Sequence, residues 1–198
     1  MTRILACLLM LAHGTLLAQS ASADPESLYF PCISCHGKNG EGSPAIRAPA
    51  IGGQSSVYLE RQLHNFRMGI RGQHPGDPWG AQMALMAENL NDDDINVLAD
   101  FVSQMPVKKT EGGTSEAPEF YVGCVACHGK KGQGIESLNA PRIAGLDEAY
   151  TSLHLRYFRD GLRGSVEGDQ WGAVMRDALP DNINDAAIQK LAKYIQSL

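Results

Sequence analysis

The chain has 198 residues, of which 43% are hydrophobic and five are cysteines. It carries 17 Lys and Arg residues against 22 Asp and Glu residues, a formal net charge of −5 at pH 7. This acidic balance argues against nucleic acid and anionic membrane surfaces as partners, because both repel a protein of net negative charge.

Residues 1–23 predict a signal peptide. Arg3 supplies a short positive start, residues 4–17 form an apolar stretch too short to cross a bilayer, and residues 21–23 form an A-x-A cleavage site. Cleavage after Ala18 and retention as an uncleaved anchor are the alternatives. We therefore expect an exported mature chain with no membrane span.

Two Cys-x-x-Cys-His motifs use every cysteine outside the predicted signal peptide. Their residues are Cys32, Cys35 and His36 in the first motif, and Cys124, Cys127 and His128 in the second. In such a motif the two thiols attach covalently to a haem and the histidine binds its iron from one face. A zinc site made of the four thiols would leave both histidines without a role, and a redox dithiol would need a βαβ context that the sequence lacks. The motifs therefore predict two covalent haem c groups.

An internal repeat relates the two halves of the chain. The offset of 92 residues between the motifs also relates Tyr29 to Tyr121 and Trp79 to Trp171, and one residue is inserted after Met175. We predict an N-terminal domain over residues 24–105 and a C-terminal domain over residues 119–198. Residues 106–118, with few apolar side chains, read as a linker.

Each half predicts the same order of helices. A first helix leads into the haem motif, with Leu28-Tyr29 or Phe120-Tyr121 facing the core. A middle helix covers about residues 55–68 or 147–159 and ends at a glycine. A last helix is capped by Asn91 or Asn184 and has one apolar face. No convincing strand alternation appears, so the predicted fold class is all-α.

The sixth iron ligand is assigned by the repeat. Met83 and Met175 are the only methionines that coincide in the two halves, both in a Trp-Gly-Ala-x-Met context. A thioether ligand raises the reduction potential by favouring Fe(II). The alternative is that both methionines fill the core. Met86 is the rival in the first half. The unrepeated histidines are weaker candidates, and we expect all three at the surface: His64, His74 and His154.

Repeated arginine and tryptophan residues are candidates to hydrogen-bond the haem propionates. They are Arg71, Arg163, Trp79 and Trp171, with Arg67 and Arg159 as further arginines. Burial of a propionate costs several kcal/mol unless a charged partner compensates it. The alternative is a solvated basic face used for docking.

Together these motifs resemble the tandem two-haem class I cytochromes c, and in particular the cytochrome c4 type. The similarity covers nearly the whole mature chain and rests on the paired haem motifs, the Pro-x-Ile-x-Gly segments, the methionine segments and the last helices. It implies two class I cytochrome c domains in tandem, each with one haem. It also implies that the carbonyl groups of Pro49 and Pro141 accept hydrogen bonds from His36 and His128, and it favours Met83 over Met86 as the ligand.

The resemblance implies a periplasmic electron carrier rather than an enzyme. Its expected partners are a bc1-type complex, a terminal oxidase or a periplasmic dehydrogenase. The alternative is the dihaem electron-transfer subunit of a dehydrogenase, such as a flavocytochrome c sulfide dehydrogenase or a thiosulfate dehydrogenase. A peroxidase or a gas sensor would need an open sixth site, whereas both halves offer a methionine.

Overall fold

A computed structural model describes residues 24–108, 110 and 116–198 of the chain. The predicted signal peptide and residues 109 and 111–115 of the predicted linker lie outside the described residues. No helix in the described part is long and apolar enough to cross a membrane.

The described residues fold into helices joined by loops. The first half contains α1 (Pro25–Tyr29), α2 (Ile33–His36), α3 (Ser56–Arg67), α4 (Pro78–Ala87) and α5 (Asp92–Ser103). The second half contains α6 (Tyr121–His128), α7 (Glu148–Arg159), α8 (Gln170–Asp177) and α9 (Asp185–Ser197). Short 3-10 turns cover Phe30–Cys32, Pro44–Ile46 and Glu136–Leu138. Extended pairing within the described ranges is limited to two isolated bridges, Ser43 with Ala48 and Ile135 with Ala140. The all-α prediction is confirmed.

The first, middle and last helices of each half form where the sequence predicts them. Asn91 caps α5 through a reciprocal capping box with Asp94, and Asn184 caps α9 by accepting from the Ala187 amide. The sequence reasoning missed α4 and α8, the helices that contain the Trp-Gly-Ala-x-Met segments. Both are short and include a glycine, so their helical signal is weak. Their capping residues are Asp77 and Asp169, which accept from Gly80 and Gly172.

The last helix of each half contributes several buried side chains to the core of that half. Helix α5 packs on α3, and α9 packs on α7. The Tyr29 ring meets the Phe101 ring edge-on at 5.8 Å between centroids, and the Tyr121 ring meets the Tyr194 ring in the same way at 4.7 Å. These contacts hold α1 against α5 and α6 against α9.

The two halves touch through α3, α7 and the loops around them. Gln54 bonds the Arg142 backbone, Arg61 bonds Asn139, and the Tyr157 hydroxyl donates to the Gly76 carbonyl at 3.0 Å. The bonds of Gln54 and Arg61 hold residues 139–142 of the second half against the first half. The bond of Tyr157 holds the loop at Gly76 of the first half against α7.

Candidate haem sites

The histidine of each haem motif stands at the C-terminus of a helix. Helix α2 ends at His36 and α6 ends at His128, and the next residue in each case is a glycine with positive φ, 80° at Gly37 and 79° at Gly129. A residue with a side chain would be strained there. The glycines therefore let the chain leave the helix directly after the histidine and turn back over it.

The returning loop brings a proline carbonyl onto each histidine. Nδ1 of His36 lies 2.9 Å from the Pro49 carbonyl oxygen, and Nδ1 of His128 lies 2.8 Å from the Pro141 carbonyl oxygen. Because a carbonyl oxygen only accepts, Nδ1 is the donor in both rings. The lone pair of Nε2 is then left to bind iron, and the hydrogen bond fixes the orientation of the ring.

Both imidazoles are held in the neutral form that a metal requires. Burial lowers the pKa of His36 and of His128, and it outweighs the opposing effect of the hydrogen bond to the proline carbonyl. Each of the two residues is 6% exposed. A neutral, oriented imidazole is the state in which histidine is an iron ligand.

Close backbone approach at a glycine shapes each returning loop. A Cβ atom built on Gly42 would lie 2.6 Å from the Pro49 carbonyl carbon, and one on Gly134 would lie 2.8 Å from that of Pro141. Both glycines also have positive φ. The glycines are therefore required for the proline carbonyls to reach the histidines.

The motif thiols are free and close to the histidines in sequence. Cys32, Cys124 and Cys127 are partly buried, while Cys35 is exposed. Burial raises the pKa of the Cys32 and Cys124 thiols.

A cavity of about 230 Å³ lies against the second motif. Its walls include Cys124, Cys127, His128 and Met175, so the structure brings the predicted attachment and ligand residues of this half together. Residues of the first half, including Gln54, complete the wall. The lining is mainly apolar, as the site of a haem requires.

The methionine candidates differ in burial. Met83 in α4 is half-buried, whereas Met86, one turn later, is 47% exposed. Met175 in α8 packs against the core of its half and lines the cavity. Burial thus supports Met83 over Met86 as the iron ligand of the first half.

Arg71 and Arg163 occupy equivalent buried positions. Each guanidinium lies over a phenylalanine ring of its own half at 4.4 Å, and the two residues are 9% and 8% exposed. Arg71 donates to the Gln62 side-chain oxygen at 2.6 Å. In both arginines Nε is buried and has no hydrogen-bond partner. A buried, unpartnered cationic donor is what an anionic haem propionate would satisfy, so these residues fit the group.

The other candidates for binding the propionates differ in their burial and in their partners. Trp79 and Trp171 are half-buried, and Trp171 lines the cavity in the second half. Arg67 pairs instead with Asp92 at 2.5 Å, and Arg159 pairs with Asp160 and Asp185 at 2.7 and 2.6 Å. The structure therefore directs Arg67 and Arg159 to surface ion pairs.

The expectation that His154 lies at the surface is wrong. It is 7% exposed, and its Nδ1 accepts from Arg163 at 3.2 Å. Burial, followed by the charges of Arg163 and Arg71, holds the pKa of His154 well below 6.5. Of the other two, His74 is exposed and His64 is half-buried. Helical register was a usable signal, because His154 is four residues after Tyr150 and four before Phe158, on one face of α7.

His154→Gln is expected to flatten the acid dependence of stability. Below pH 6.5 the unfolded chain binds a proton at His154 that the folded chain does not, so stability falls as pH falls, by up to about 1.4 kcal/mol per pH unit. Glutamine, which the repeat has as Gln62, accepts the same hydrogen bond without titrating. Urea unfolding of the holoprotein at pH 7 and pH 5 measures the difference. Equal acid sensitivity of the two proteins would contradict this assignment.

Two helical halves, each with a thiol pair and a buried histidine oriented by a proline carbonyl, define a c-type cytochrome with one haem site in each half. The family model for cytochrome c matches residues 23–106 and again residues 115–198. The chain therefore belongs to the cytochrome c family, and each domain binds a covalent haem c.

Known proteins of this type extend over the whole chain. Cytochrome c4 from Stutzerimonas stutzeri is 29% identical over 218 residues, covering 100% of both chains. A thiosulfate dehydrogenase electron acceptor from Stutzerimonas stutzeri (strain A1501) is 28% identical, covering 94% of this chain and 87% of its own. The crystal structure of reduced cytochrome c4 from Pseudomonas stutzeri superposes with a TM-score of 0.68 at 25% identity, over 90% of this chain and 98% of its own. The chain is thus a tandem dihaem cytochrome of the cytochrome c4 type that transfers electrons.

Proposed function

We propose that the protein is a periplasmic electron carrier whose two irons are bound by His36 with Met83 and by His128 with Met175. The observation that carries this proposal is the duplicated histidine, neutral and oriented through Nδ1 by a proline carbonyl in both domains. The haem, when bound, supplies an iron that changes between Fe(III) and Fe(II). Two retained axial ligands suit electron transfer, because they leave no position open for a substrate.

The remaining residues of each site hold the haem rather than react with it. Cys32 and Cys35, or Cys124 and Cys127, anchor it covalently. Arg71 and Arg163 offer their free Nε atoms to the propionates, and the indole groups of Trp79 and Trp171 lie at the start of the helices that carry the methionines. Because Arg71 and Arg163 are buried, their hydrogen bonds to the propionates would be shielded from water.

The domain division is part of the same proposal. Residues 24–105 and 119–198 each supply a full set of these groups, and residues 106–118 connect them. Residues 1–23 would direct export and be removed, which places haem attachment and electron transfer in the periplasm. A short connection keeps the two haems within one electron-transfer unit.

The expected physiological partners are redox proteins that give electrons to this chain or accept electrons from it. Electrons would come from a bc1-type complex or a periplasmic dehydrogenase and would leave to a terminal oxidase. The similarity to a thiosulfate dehydrogenase electron acceptor supports a second candidate, in which this chain receives electrons from a thiosulfate-oxidising enzyme.

Optical spectra of the purified holoprotein test the ligation. We expect two haems per chain, a weak far-red band in the oxidised state, and no change when carbon monoxide is added to the reduced state. A high-spin haem that binds carbon monoxide would overturn the assignment of methionine at that site. Stopped-flow reduction by a thiosulfate dehydrogenase, compared with reduction by a bc1-type complex, distinguishes the two donors.

A further inference from the structure

A residue of the N-terminal domain bonds the peptide group that orients the histidine of the C-terminal domain. Gln54 is 7% exposed and makes a paired contact with Arg142. Its Nε2 donates to the Arg142 carbonyl at 2.9 Å, and its Oε1 accepts from the Arg142 amide at 2.9 Å. These two hydrogen bonds join the buried Gln54 side chain of the N-terminal domain to the Arg142 backbone of the C-terminal domain.

The Arg142 amide belongs to the same peptide group as the Pro141 carbonyl. One end of that peptide donates to Gln54, and the other end accepts from Nδ1 of His128 at 2.8 Å. Hydrogen bonds in a chain polarise one another, so a bond from the N–H end makes the carbonyl end a stronger acceptor. Gln54 therefore acts on His128 through a single peptide group.

A second contact holds the same segment from the N-terminal domain. Arg61 donates from its two terminal nitrogens to the side-chain oxygen and the carbonyl oxygen of Asn139, both at 2.9 Å. Asn139 has a φ of 54°, in the left-handed region where asparagine is enriched. Residues 139–142 are thus fixed on both sides of Pro141.

The N-terminal haem site lacks the corresponding group. By the repeat, Leu146 takes the place of Gln54 and Leu153 takes that of Arg61. Neither leucine side chain can hydrogen-bond a peptide. The Pro49 carbonyl therefore receives no such polarisation from the C-terminal domain through these positions, and the two histidines differ in their support.

We propose that Gln54 is a positioning residue for His128, so that contact between the domains lowers the reduction potential of the C-terminal haem alone. A stronger hydrogen bond from Nδ1 makes the imidazole a better electron donor to iron and favours Fe(III). The inference rests on the proposed ligation by His128. Arg61 and the bonds of Gln54 together make the N-terminal domain part of the C-terminal haem site.

Gln54→Leu in the full-length holoprotein tests the proposal, because it installs the residue of the repeat without changing charge. The amide proton of Arg142 is expected to exchange about tenfold faster. The potential of the C-terminal haem should rise while that of the N-terminal haem stays unchanged, as followed by NMR of assigned haem methyl groups during a redox titration. An unchanged C-terminal potential, or equal shifts of both haems, would overturn the proposal.

A further variant separates the effect of Gln54 from general loosening of the interface between the domains. Tyr157→Phe removes another bond between the domains, the one to the Gly76 carbonyl, and should leave both potentials unchanged.

The wild-type protein provides a test that needs no variant. In the reduced state, the Nδ1 proton of His128 should resonate downfield of that of His36, because its hydrogen bond is stronger. The reverse order would contradict the role of Gln54. Absence of any haem-induced shift at His128 would contradict the ligation itself, which is a different failure.

Discussion

Met175→Leu is expected to turn the C-terminal haem into one that binds carbon monoxide and to lower its potential by on the order of 100 mV. Leucine has about the volume of methionine but no atom that can bind iron. The weak far-red band should fall by about half, because the N-terminal haem keeps Met83. Absorption spectra with carbon monoxide and a potentiometric titration measure both effects.

The repeat supplies the controls for this experiment. Met83→Leu should produce the same change at the N-terminal haem only. Met86→Leu should leave both spectra unchanged, because this side chain is 47% exposed and has no counterpart in the second half. A carbon monoxide complex in Met86→Leu but not in Met83→Leu would reverse the assignment in the first domain.

Ile188→Ala is expected to destabilise the C-terminal domain by about 3 kcal/mol. Ile188 is 0% exposed and packs in α9 with the core residues of this half, including Tyr121 and Leu155. Truncation leaves a cavity between α9 and the helix that carries the haem motif. Guanidinium unfolding of the holoprotein, followed by far-UV circular dichroism and by haem absorbance, gives the change in free energy of unfolding.

Two control variants show how large and how small the effect of a truncation to alanine should be. Ile95→Ala, at the equivalent place in α5 and also 0% exposed, should destabilise the N-terminal domain by a similar amount. Val122→Ala, at a side chain 79% exposed, should change stability by less than about 0.5 kcal/mol. If Ile188→Ala cost no more than Val122→Ala, the packing of α9 would be wrong.

The local helix signals in the sequence were sufficient for most of the fold. The asparagine caps before α5 and α9, the apolar faces of these helices and the glycines after α3 and α7 are features of neighbouring residues, and they predicted the right elements. Helices α4 and α8 were missed because their stability comes from a capping aspartate and from packing in the domain. A glycine within each of them weakens the intrinsic preference for helix.

Burial could not be predicted where it depends on the other domain. His154 was expected at the surface, since it is absent from the repeat, yet it is buried, and the charge of Arg71 from the other domain helps to lower its pKa. Arg61, Gln62 and Gln54 attracted no attention in the sequence for the same reason. Their partners lie about 80 to 100 residues away along the chain.

The sequence by itself determined the chemistry of this protein. A motif of five adjacent residues specifies covalent haem attachment, and the internal repeat shows that this motif is duplicated. Family, cofactor and fold follow from those patterns. The tertiary structure alone decided how the two domains meet. Contacts between Gln54 and the peptide after Pro141, or between Arg61 and Asn139, join residues that no local pattern relates, and they make two similar haem sites different.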